Sequence, residues 1–156
     1  MFVDMAVHIT KSEVHTTCRA YLEQKIEGLK EELEAVRESA IAETKSSMGD
    51  KYETGREMMM QERNRLGKQL DIYTDQLTTL ESIDPDKSHD EVKHGCIVFT
   101  DKSTFFISSA IGQIDVNDQQ IFAISNEAPI AKAMKGMRAG DIFNFNGTSQ
   151  TIKKIE

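Results

Sequence analysis

The sequence predicts an α+β protein, an antiparallel helical hairpin of the coiled-coil kind followed by a small sheet domain with one short helix. Leu22, Ile26, Leu29, Leu33, Val36 and Ala40 recur at alternating steps of four and three, and Leu66, Leu70, Tyr73, Leu77 and Leu80 do the same. That is the seam spacing of a coiled coil. A polar stretch from Met48 to Gly55 separates the two patterns, so the arms must run antiparallel with the turn at their far end. Beyond Pro85 the apolar spacing shifts towards two, the period of strands.

Residues 1–10 are mildly apolar without a period and read as a lead-in. Thr10 or Ser12 can cap a first helix that begins near Lys11. From Val14 to Ser46 there is no proline and one glycine, and the flanks alternate Glu with Lys, as on a solvated helix. At about 30 residues per arm and 1.5 Å per residue, the hairpin reaches roughly 45 Å. The second arm, about Lys51 to Ser82, carries Met58, Met59 and Met60 in a row. Met59 suits the seam, with its neighbours partly exposed, or the surplus marks a contact surface near the tip. Gly67 lowers helix propensity by about 1 kcal/mol against Ala; it is expected to permit close approach of the arms.

Ile83 to Asp90 ends the helix with the content of a linker. The expected division is therefore 1–83 hairpin with its tip near 48–53, 84–91 linker and 92–156 sheet domain. Strands are expected at Cys96–Thr100, Thr104–Ser108, Gln119–Ile124, Asp141–Phe145 and Thr148–Ile155, the last two joined by the Asn146-Gly147 hairpin signal. Pro129 to Met137 has helical spacing, with Pro129 in the first turn and Gly136 near the end.

A net charge of −7 and a pI of about 5.2 argue against a protein that binds nucleic acid chiefly through its own surface. Docking to a protein that handles nucleic acid stays open. Cys18 and Cys96 are too few for a disulfide framework, which points to a reducing compartment. With neither a membrane-length apolar run nor a basic-apolar start, a cytoplasmic protein without membrane contact is expected. Each arm finds a partner in its own chain, so a monomer is expected rather than an oligomerising coiled coil.

Two motifs resemble the bacterial transcript-cleavage factor family, GreA/GreB. The run Ile124-Ser125-Asn126-Glu127-Ala128-Pro129-Ile130-Ala131-Lys132-Ala133-Met134-Lys135-Gly136-Met137-Arg138-Ala139-Gly140-Asp141 follows the family pattern in register, with Ala128 for the usual Ser and Ala131 for the usual Gly. At the tip, Gly49-Asp50-Lys51-Tyr52-Glu53 keeps the family's Gly-Asp-x-x-Glu, whereas Thr54-Gly55-Arg56-Glu57 replaces its Asn-Ala-Glu-Tyr. The first arm also lacks the family's Arg-Pro pair.

The resemblance implies an FKBP-like C-terminal fold and a transcription elongation factor that binds bacterial RNA polymerase. Its C-terminal domain would dock at the secondary channel rim through the segment Pro129–Asp141, and its tip would enter the channel. Asp50 and Glu53 would there hold a magnesium ion and a water in the polymerase active site, stimulating cleavage of backtracked RNA. Two-metal hydrolysis needs ions about 4 Å apart on the attacking and leaving oxygens. Magnesium needs only one or two added carboxylates. The chain would thus have no cofactor and no active site of its own, and only indirect contact with RNA, to which the family turns a basic stretch like Arg56, Arg63, Arg65 and Lys68. The lost residues after Glu53 leave an alternative: a homologue that enters the channel and inhibits or competes without stimulating cleavage.

Simpler readings stand beside these. Asp50 with Glu53 three residues on is the pattern of a capping box, worth about 0.5–2 kcal/mol. The basic stretch suits a solvated helix face, and Ile130, Ala133 and Met134 suit the core. A cysteine nucleophile would need Cys18 or Cys96 beside a histidine in an elbow-like setting that the sequence lacks. Prolyl isomerase activity would need an aromatic-rich pocket, and 6% aromatics with no Trp disfavours one.

Overall fold

The computed structural model describes residues 9–46 and 50–156 and contains two long helices followed by a six-stranded mixed sheet with a short helix. Residues 1–8 of the expected lead-in and Met48 and Gly49 of the expected tip lie outside the described residues. Helix α1 spans Lys11–Ser46 and α2 spans Asp50–Glu81. Thr10, not Ser12, starts α1. The Glu13 amide donates to Thr10 Oγ1 at 3.1 Å while Glu13 Oε2 accepts from the Thr10 amide at 3.4 Å, a reciprocal capping box.

The chain divides into two compact units within the helices: Tyr21–Asp75 form one, and the described residues up to Ala20 with Gln76–Glu156 form the other. In the hairpin unit the seam residues face inward as their spacing predicts. Leu29 lies beside Gln69 and Tyr73, and Val36 beside Met59, so the arms run in opposite senses. Leu22, Leu29 and Leu66 are buried and Ile26, Leu70 and Tyr73 half-buried, whereas Leu33, Val36, Ala40 and Met59, nearer the turn, are all half-buried. Of the methionine trio, Met59 takes the seam while Met58 and Met60 are 65% and 46% exposed. The close approach expected at Gly67 does not occur: a Cβ there would meet no atom within 4 Å.

In the other unit, β1 (Ile97–Thr100), β2 (Thr104–Ser108), β3 (Gly112–Val116), β4 (Gln119–Ser125), β5 (Ile142–Phe145) and β6 (Thr148–Ile155) form one sheet in the order β3-β4-β2-β1-β6-β5. All neighbours are antiparallel except β2 and β4, which pair in parallel from Phe105/Phe122 to Ser108/Ser125. Helix α3 (Pro129–Met134) buries Ala131 and Met134 in a core with Val98, Phe105, Ile107 and Ile152. Alternate residues Ile97, Phe106 and Ile121 are also fully buried, as a strand covered on both faces requires. The ends of both long helices are tied into this unit: Ser109 Oγ donates to the Gln76 carbonyl at 2.7 Å and Asn117 Nδ2 donates to Glu13 Oε2 at 2.8 Å. His15 Nε2 bonds the Leu80 carbonyl at 2.9 Å, joining α1 to α2 within it.

Strand β3 was not expected. Only Ile114 and Val116 of its five residues are apolar, and its turn is Asn117-Asp118, both at positive φ (51° and 65°), instead of the more recognisable Asn-Gly. The Asn146-Gly147 turn is present at φ 52° and 77°. Helix α3 stops at Met134, three residues short of the expected Met137, because Gly136 turns at φ 79° and donates to the Val92 carbonyl, while the Val92 amide donates to Met137. The segment expected as a linker is held: buried Lys11 extends its ammonium to the Lys87 carbonyl, and the Asp86 amide bonds Asp84 Oδ1 at 2.9 Å.

Candidate functional site

Asp50 is the first residue of α2, and Glu53 follows in the same turn with an exposed side chain. The first turn of a helix presents free amides and favours anionic side chains. The backbone therefore brings the two sequence-predicted acids into one turn at the end of the hairpin nearest the chain reversal. Magnesium keeps several of its waters and is held by one or two carboxylates together with ligands from elsewhere, so two acids in one turn are at most a part of such a site. Among the described residues no group of three or more His, Cys, Asp or Glu side chains is placed to hold a metal.

The basic stretch divides when its neighbours are placed. Arg65 is engaged by Glu62, with Nη2 to Oε1 at 2.6 Å and Nε to Oε2 at 3.0 Å. That hydrogen bond holds the Glu62 carboxyl below its usual range and the Arg65 guanidinium above its own. Arg56 and Arg63, seven residues apart, share one helix face and line a groove of about 600 Å³ between the arms. Lys30 and Arg37 of α1 line the same groove, and sequence reasoning missed both. The antiparallel register was the signal that could have found them, because it sets residues 30–41 opposite 56–63. Lys68 is exposed and lines no part of this groove.

The segment Pro129–Asp141 is shaped from within. Met134 and Ala131 are buried, and Ile130 and Ala133 pack against the core, as expected of them. Ala128 stands at the N-cap without a side-chain hydrogen bond, where a Ser would supply one. Asp141 Oδ2 accepts from the Arg138 amide at 2.8 Å, and Arg138 Nη1 reaches Asp90 Oδ2 at 3.1 Å, which holds the Asp90 carboxyl below its usual range.

Both cysteines are buried. Burial pushes the Cys18 thiol up to about 12 and raises that of Cys96, opposite to the shift of an activated nucleophile. His89 is held low by partial burial and by Lys11, Lys93 and Lys87. No helix among the described residues is long and apolar enough to cross a membrane.

No family model matches the chain, and no curated protein matches it. Among solved structures the chain is similar to one described as the structure of the transcription factor Gfh1, at 20% identity and a TM-score of 0.36, over 88% of this chain and 90% of that one.

Proposed function

We propose that the chain is a transcription factor of the Gre type, a non-enzymatic protein that binds RNA polymerase and presents the turn of its helical hairpin to the polymerase active site. The observation that carries this reading is the placement of Asp50 and Glu53 in the first turn of α2, at the reversal of a hairpin followed by a mixed-sheet unit. In this reading the two carboxylates supply oxygen ligands to a magnesium ion that the polymerase holds weakly, and orient the attacking water. Magnesium retains several waters and accepts such partial ligation. The sheet unit docks at the channel rim, with Pro129–Asp141 as the docking segment.

Purified protein added to stalled elongation complexes is expected to stimulate endonucleolytic cleavage of the 3′ RNA, and Asp50→Asn or Glu53→Gln to abolish that stimulation. A failure to stimulate over a range of magnesium concentrations would sink the cleavage reading. The replacement of the family's Asn-Ala-Glu-Tyr by Thr54-Gly55-Arg56-Glu57 favours a second reading, a factor that occupies the channel and inhibits. It predicts slower RNA extension, relieved by an added cleavage factor that competes for the same entrance.

A further inference from the structure

The two faces of the hairpin unit differ in a way that the tip acids do not explain. Val36 and Met59 form the seam where burial is incomplete, and a groove opens on each side of them. One groove, with Ala35, Ser39, Gly55 and Met58, carries Glu62 as its charged residue, and Glu62 is engaged by Arg65. The other has an aliphatic floor of Leu33, Val36, Ala40 and Met59 with Ile41 and Met60 at its lip. Around that floor stand Lys30, Arg37, Arg56 and Arg63 against a single acid, Glu34, which pairs with Arg37 at 3.6 Å. Lys30, Arg56 and Arg63 make no ion pair among the described residues. A chain of net charge −7 has therefore gathered cations around one apolar groove and left the opposite groove without them.

We propose that the cationic groove receives an acidic amphipathic α-helix of a protein partner. Two antiparallel helices with a half-buried seam lack the third surface that would close it, and a helix laid along them completes a small bundle. Leu33 to Ile41 is nine residues, a rise of about 12 Å or two turns, which matches apolar anchors at i, i+3 or i+4, and i+7 of the incoming helix. Ile41 and Met60 are exposed at the edge, and a flexible thioether adapts to the side chains of a partner. The carboxylates of the incoming helix meet Lys30, Arg56 and Arg63, which fixes its orientation and speeds encounter. The lining favours a protein over single-stranded RNA, since the groove holds no aromatic ring on which a base could stack. The cations and the apolar floor suit such a helix whether or not the chain binds a polymerase.

The test uses the full chain and fluorescence anisotropy with three labelled probes. The first is a synthetic helical peptide with Leu at i, i+3, i+4 and i+7 and Glu at its flanks. The second keeps the Leu pattern with Lys for Glu, and the third is a single-stranded RNA of mixed sequence. Micromolar binding of the acidic peptide is expected, with the Lys peptide bound at least about tenfold more weakly. The double variant Arg56→Glu/Arg63→Glu, with helicity verified by circular dichroism, is expected to invert that preference, an exchange that misfolding does not produce. Met60→Ser is expected to weaken both peptides. The proposal is overturned if the acidic peptide fails to bind, if the double variant leaves the preference unchanged, or if RNA binds more tightly than the peptide and is lost in the double variant.

Discussion

Leu66→Ala and Leu33→Ala together test whether the hairpin is packed more tightly at Leu66 than nearer the turn. Leu66 is 1% exposed, so its truncation leaves a closed cavity. Such changes cost about 2–5 kcal/mol according to how far the site collapses, and about 3 kcal/mol is expected here. Leu33 is half-buried on the floor of the open groove, where water already reaches part of its side chain. With roughly half of the transfer term lost and no sealed cavity formed, about 1 kcal/mol is expected. For a chain of this size about 1 kcal/mol moves the melting temperature by 2–4 °C, so Leu66→Ala is expected to lower it by about 6–12 °C and Leu33→Ala by about 2–4 °C. The two compact units need not melt together, so helical ellipticity is to be followed alongside hydrogen exchange resolved across residues 21–75. A loss of protection in Leu33→Ala equal to or greater than that in Leu66→Ala would refute the looser packing near the turn.

Gly67→Ala is expected to raise stability by about 1 kcal/mol in urea titration, because the added methyl meets open space and the helix gains propensity; a destabilised variant would show that the arms do touch there. Cys18 is expected to resist thiol reagents. At pH 8 a thiol at about 12 is four units below its midpoint, so about one molecule in ten thousand carries the thiolate, against about one in ten for a thiol at 9.0. The folded value lies above the unfolded one, so the stabilising contribution is complete below pH 9 and declines as pH rises from 9 towards 12. Rapid labelling at pH 8 without unfolding would contradict the burial of that helix face.

The helical half of the fold was legible because its information is local and periodic. Leu22, Leu29 and Leu66 repeat in phase, and a seam needs nothing but phase. The sheet was legible where turn chemistry is explicit, as at Asn146-Gly147, and illegible where pairing is remote. Nothing along the chain announces that Phe105 lies beside Phe122 in a parallel pair, with β3 on the far side of β4. Gly67 misled because propensity says what a glycine costs, while only the neighbouring arm says whether it is needed. Thr10 and Glu13 form a capping box that the spacing contains, obscured by the competing Ser12. At the candidate site, periodicity alone placed Asp50 and Glu53 beside the reversal. The cationic groove stayed hidden because Lys30 and Arg37 join Arg56 and Arg63 only after two helices have been set in register.

The position of β6 has a consequence for the order of folding. It lies between β1 and β5 in the sheet and follows both in the chain. Until it pairs, β1 lacks one neighbour and β5 lacks the strand it is bonded to, so Val98 and Phe143, which the finished sheet buries, stay open to water. Joining β6 to β1 closes most of the length of the sheet, a non-local contact whose loop-closure entropy slows folding. An intermediate that lacks β6 is thus an open sheet with unpaired strand edges, the state in which chaperones would find their substrate.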